Sequence, residues 1–208
     1  MKSLLRHFLF TGLLLSATAG LFARPNTIEY LRESTADMPD EKDRLAVQST
    51  LLEFEGSGRL REFFDKSYGV VVFPTIGKGG LGVGGAHGTG WGFREGRYDG
   101  QSKMTQVTIG FQAGGQAFSQ VIFFEDERAF NQFTGGNFEL GAQASAVALT
   151  AGANAQASTA GGANAGANTK QAKSTYSDGL AIFTMAKGGL MYEASVGGQK
   201  FSYRPIKR

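Results

Sequence analysis

Residues 68–93 read YGVVVFPTIGKGGLGVGGAHGTGWGF. The run opens as a buried strand, Val70-Val71-Val72-Phe73, passes through Pro74, and then places glycine at nearly every second position. Glycine weakens a strand through lost entropy and missing packing, so this density implies a backbone that bends sharply or is approached very closely on one side. Leu81, Val83, Thr89, Trp91 and Phe93 share one parity, while Gly80, Gly82, Gly84, Gly88, Gly90 and Gly92 share the other. In an extended chain these become one bulky face and one bare face.

The surrounding chain has 208 residues, 41% hydrophobic and 12% aromatic, enough for one domain with a proper core. Glycine numbers 31 and proline only 4, which suits strands and turns better than a linker or a collagen-like repeat. The N-terminus has the pattern of an export signal: Lys2 and Arg6, an apolar core from Phe8 to Leu15, then Ala17-Thr18-Ala19. Cleavage after Ala19 is the first choice and after Ala23 the second; the apolar core is much shorter than the ~20 residues of a spanning helix. Without Lys2 and Arg6 the formal charge falls from +3 to +1, and nucleic-acid binding is not expected. Cysteine is absent, which excludes disulfides, thiolate metal sites and a cysteine-linked lipid anchor.

Residues 20–66 have helical character. Ile28, Leu31 and Thr35 fall at helical spacing, Pro39-Asp40 restarts the chain before Leu45, Leu52 and Phe54, and a third helix begins near Ser57 with Leu60, Phe63 and Phe64 on one side. This part is net acidic, with ten acidic against seven basic residues between Arg24 and Tyr68.

From residue 67 onward the pattern is β-rich. Val107, Ile109, Phe111 and Ala113 alternate, Gly114-Gly115 reads as a tight turn, and Ala117 to Phe124 returns as an apolar strand, so a hairpin is expected. A helix follows over Glu125 to Phe133, with Asp126 as N-cap and Phe130 and Phe133 buried. Glu125, Asp126 and Glu127 complement the helix macrodipole, a simpler account than a metal site. Gly141 to Thr169 is uncharged and low in complexity, read as a strand over Ala142 to Leu149 and then a loop. Leu180 to Met185, Leu190 to Val196 and Phe201 to Tyr203 are expected as three strands turning at Lys187-Gly188-Gly189 and at Gly197-Gly198.

Catalytic signals are sparse. Gly80-Leu81-Gly82-Val83-Gly84-Gly85 satisfies G-x-G-x-x-G, but no helical period follows to receive a pyrophosphate. Gly77-Lys78 is followed by glycine rather than serine or threonine, and His87 lies among glycines with no acid beside it. The chain is therefore expected to be no enzyme and to carry no cofactor or metal. Lys78 and Lys187 flank glycine turns, Lys170 and Lys173 lie at a loop edge, and Trp91 suits a water–lipid boundary.

Tyr68-Gly69-Val70-Val71-Val72-Phe73-Pro74, Lys78-Gly79-Gly80 and Gly82-Val83-Gly84-Gly85 together resemble the opening signature of the SYLF domain, a lipid-binding family. Gly110-Phe111-Gln112-Ala113-Gly114-Gly115-Gln116 is similar to its G-x-Q-x-G-x-Q block, and Val121-Ile122-Phe123-Phe124 to the strand after it. Phe138 to Ala146 resembles its G-A-x-A-S segment, and Tyr176-Ser177-Asp178-Gly179-Leu180 its Y-S-x-x-G-L motif. The resemblance covers most of Leu45 to Tyr203 in the family's order. It implies a membrane-associated module that binds phospholipids through basic residues and an N-terminal amphipathic segment, some eukaryotic members also binding actin. An export signal and an acidic helical region are departures from that pattern, and they shift the expected partner to anionic phospholipid of a bacterial envelope.

The expected protein is an exported, periplasmic or extracellular α+β domain that sits peripherally on membranes. A curved antiparallel sheet, open or closed into a small barrel, has the N-terminal helices packed on it. Its lipid-binding candidates are Lys78, Lys170, Lys173, Lys187 and Trp91; an envelope protein partner is the alternative.

Overall fold

A computed structural model describes residues 28–56, 60–141 and 176–207. The helices expected from the sequence form: α1 (Ile28–Ser34) runs into a 3-10 turn (Thr35–Asp37), followed by α2 (Glu41–Glu55) and α3 (Arg61–Lys66). Asp40 caps α2, its side chain accepting from the Asp43 amide. Thr35 is buried and bonded on both sides, its hydroxyl donating to the Arg32 carbonyl at 2.6 Å and accepting from Gln48 at 2.7 Å. On α2 the buried face is Val47, Thr50, Leu51 and Phe54, while Leu45 and Leu52 of the expected stripe stay exposed.

Three long strands make the sheet: β1 (Gly69–Arg94), β2 (Arg97–Phe124) and, after α4 (Glu127–Thr134) and the short β3 (Asn137–Leu140), β4 (Leu180–Pro205). Among the described residues the order is β1-β2-β4-β3, all antiparallel. Among the described residues β1 and β3 are the edges, and the sheet these strands form is open rather than a closed barrel.

The tight turn lies at Glu95-Gly96, where both residues have positive φ (47° and 73°), the geometry of a two-residue hairpin loop. The turns expected at Gly114-Gly115, Lys187-Gly188-Gly189 and Gly197-Gly198 are instead interior to continuous strands. Between β1 and β2 glycine faces glycine, Gly79 opposing Gly115 and Gly80 opposing Gly114, while Gly188 and Gly189 of β4 oppose Ala117 and Gln116 close by. A second belt sets Gly84 and Gly85 against Thr108 and Val107, which face Gly197 and Gly198. Glycines clustered near the same levels on the three strands let them bend together, and that is a corner rather than a set of turns. Gly82, Gly110 and Gly114 have φ of 71°, 154° and 124° there, values that residues with a Cβ rarely adopt.

The corner folds the sheet back on itself. A Cβ on Gly88 would lie 2.6 Å from Ile76 Cγ1, and one on Gly90 2.6 Å from the Phe73 ring. Ile76 and Gly88 are twelve residues apart on one strand, about 40 Å if it ran straight. The bare face of the glycine run is thus packed, with Ile76 and Phe73 filling it at Gly88 and Gly90 and Tyr203 at Gly92. Two walls result: 69–77, 116–124 and 180–187 in the first, 84–94, 97–109 and 198–205 in the second.

Each wall has an inner and an outer face. Between the walls lie Val71, Phe73, Ile76, Met104, Phe118, Ile122, Phe124 and Phe201, with Phe130 and Phe133 of α4 closing one end. Asp126 caps that helix as expected, accepting from the Ala129 amide at 2.7 Å. Outside, α1, α2 and α3 pack Leu31, Val47, Leu51, Phe54, Phe63 and Phe64 against Val70, Val72, Trp91, Phe93, Val121 and Phe123. Fully burying each such side chain contributes about 1.5–3 kcal/mol. The strand expected over Ala142 to Leu149 lies outside the described residues.

Candidate functional site at the corner of the sheet

Polarity between the walls changes with distance from α4. Met104 opposes Phe201, the next inward pair is Gln106 and Gln199, and Thr108 follows, all of them buried. Gln120 and Gln199 exchange two hydrogen bonds of 3.3 Å across the gap, and Thr184 and Lys78 are buried at the same end. The interior is apolar near α4 and polar near the corner.

The outer face of the second wall runs the other way. His87, Thr105 and Lys200 form one exposed ladder row, Thr89, Lys103 and Ser202 the row beside it, and Arg204 lies beyond. Toward the corner the rows turn apolar, with Val107 between Gly85 and Gly198, Val83 opposite Ile109, and Leu81 past the register shift. Leu81 is 84% exposed, Val83 62%, Val107 65% and Ile109 68%. Alternation along Val107, Ile109 and Ala113 was legible in the sequence, but the apolar side of it faces out while Gln106 and Thr108 face in. Side-chain period alone fixes which residues share a face, not which face is the core.

Of the residues singled out by sequence, Lys78 and Lys187 come to the corner. Lys78 opposes Gln116, which opposes Gly189, so the two lysines sit near one level on the two strands flanking β2. Lys187 is exposed; Lys78 is only 6% exposed, on the face it shares with Ile76. Trp91 is also 6% exposed and belongs to the helix-covered core, its indole packed rather than presented to solvent. Lys170 and Lys173 lie outside the described residues. Lys103, Lys200, His87 and Arg204 were missed as a group, because only the strand register brings them together. G-x-G-x-x-G falls in the strand corner itself, where β1 continues and no helix starts.

A buried clasp steadies the opposite end. Tyr203 donates to Asp99 at 2.9 Å, Asp99 pairs with Arg94 at 3.3 Å, and the Arg94 guanidinium lies 4.9 Å from the centre of the Phe130 ring. Burial, reinforced by the Asp99 charge, pushes the Tyr203 hydroxyl far above the usual phenol range. Burial likewise pushes Tyr176, packed 5.2 Å from Phe63, up to about 12.

Among the described residues no helix is long and apolar enough to cross a membrane, and no cluster of three or more histidine or acidic residues has metal-site geometry. No curated protein and no solved structure matches the chain. A family model described as "Ysc84: Las17-binding protein actin regulator" matches residues 105–205, taking in most of β2, all of α4 and β3, and β4 to its last residue. With the opening SYLF signature on β1 and the next two motif blocks on β2, the match over residues 105–205 is that of a Ysc84, or SYLF-type, domain.

Proposed function

We propose that this protein is an exported, non-enzymatic binding module that associates with anionic phospholipid at the bacterial cell envelope. The observation that carries this is the outer face of the second wall, where Lys103, Lys200, His87 and Arg204 lie in neighbouring rows beside exposed apolar side chains. Each lysine or arginine near an anionic surface contributes about 1 kcal/mol of attraction, which falls off within a Debye length. Lys187 adds a further exposed ammonium at the corner. Glu139, paired with Lys200 at 2.9 Å, partly offsets the field, but both partners are more than half exposed and the pair is readily exchanged for a headgroup.

Co-sedimentation of the mature chain with phosphatidylglycerol vesicles tests the proposal. Binding is expected at low salt, weakened by salt and by Lys103→Glu with Lys200→Glu; no binding to these vesicles at low salt would overturn it. A second reading, a scaffold for another envelope protein, is favoured by β1, which among the described residues is hydrogen-bonded to a neighbour on one side only. Recovery of a stoichiometric protein from envelope extract, independent of lipid, would support that reading instead.

A further inference from the structure

We propose that the corner itself enters the bilayer: Leu81, Val83, Val107 and Ile109 form a shallow wedge that reaches the acyl chains while the rows behind it hold the headgroups. This rests on the lipid-binding proposal and names the mode of contact. At the α4 end the sheet obeys the rule for a water-soluble domain, apolar within and helix-covered without. At the corner the order reverses, with Gln106, Gln120, Gln199, Thr108 and Lys78 inside and the four aliphatic side chains outside. A sheet facing lipid has this arrangement, polar residues inward and apolar residues outward.

Distances along the strands agree with shallow entry. From Val83 the chain reaches His87 in four residues, about 13 Å of strand, and from Val107 it reaches Lys103 in the same span. Apolar tips sunk about 5–10 Å below the headgroups would leave the Lys103 ammonium and the His87 ring at headgroup level. Through the corner β2 stays laddered to β4, and to β1 on either side of the register shift between Leu81 and Val83, so shallow entry keeps the remaining backbone groups of residues 110–112 near water. A second copy of the chain fits the patch less well. Joining two corners face to face would bring Lys103 and Lys200 toward the same residues of the other copy, an unfavourable meeting of like charges.

The chain contains no cysteine, so single substitutions Val83→Cys and, on the helix layer, Glu53→Cys accept a fluorescent label without background. Phosphatidylglycerol vesicles carrying nitroxide on the acyl chains are expected to quench the label at position 83 and not the one at 53. Unlabelled Val83→Ser with Ile109→Ser is expected to lower vesicle partitioning about tenfold or more. Its urea midpoint should be unchanged, since both side chains already face solvent. Binding that persists with the label at 83 unquenched overturns the wedge and leaves the charge-driven association standing. Absence of any binding by the unsubstituted chain at low salt overturns both. A chain dimer that dissociates on Val83→Ser while vesicle binding is unaffected would assign the patch to a second copy and overturn the wedge.

Discussion

Gly90→Ala is the sharpest single perturbation of the folded-back sheet. A methyl at this position would meet three atoms of the Phe73 ring at 2.6, 2.7 and 2.8 Å, where ordinary contact begins at 3.4 Å. Phe73 is fully buried and its ring lies 5.7 Å from that of Phe201, so it cannot retreat without displacing a second core side chain. Overpacking of this kind costs about 1–3 kcal/mol. Gly77 on the same strand is exposed, and a Cβ there would meet nothing within 4 Å. Gly77→Ala is therefore expected to leave stability unchanged or raise it by up to about 1 kcal/mol, through the smaller entropy of the unfolded chain. Urea unfolding, followed by circular dichroism, reads both. Combining Gly90→Ala with Phe73→Leu should recover part of the loss, with a coupling of about 1 kcal/mol or more. Equal midpoints for Gly90→Ala and Gly77→Ala would refute the close approach of the two walls.

Three further outcomes follow from the core. Tyr203, Tyr176, Tyr98 and Tyr68 all have hydroxyls raised above the ordinary value of 10, burial being the largest cause in each. The folded state thus keeps protons that the unfolded state releases. This stabilisation is complete below pH 10 and is lost as pH climbs through and beyond 12, the value to which Tyr176 is raised, so urea midpoints should fall steadily above pH 10 and less steeply in Tyr203→Phe. Asp126→Ala removes the cap of α4 and should cost about 1 kcal/mol in the same assay. Trp91, the single tryptophan, should emit as a buried indole, resist iodide quenching, and keep its spectrum when vesicles are added.

The helices were legible because their signals are local: Pro39-Asp40 as a restart, Asp126 as a cap, and aromatic pairs at helical spacing such as Phe130 and Phe133. The parity of the glycine run was legible for the same reason. Turn positions were not, because Gly114-Gly115 and Gly197-Gly198 have the composition of a turn, and only their alignment with glycines on neighbouring strands makes them a bend. Conversely the real hairpin loop puts Glu95 at positive φ, a conformation its residue type does not announce. Lys78 and Trp91 were noticed by type, and burial depends on what the folded-back wall and the helices bring over them. The row of His87, Thr105 and Lys200 joins three strands far apart in the chain, so no local pattern could have revealed it.

Hydrogen–deuterium exchange of the unsubstituted protein, with and without phosphatidylglycerol vesicles, tests directly whether the corner is the surface that meets lipid. The predicted result is added protection at 79–85 and 105–114, with no change over 41–55 on α2. Protection confined to the helices, or unchanged exchange at the corner under conditions where the protein co-sediments, would contradict it.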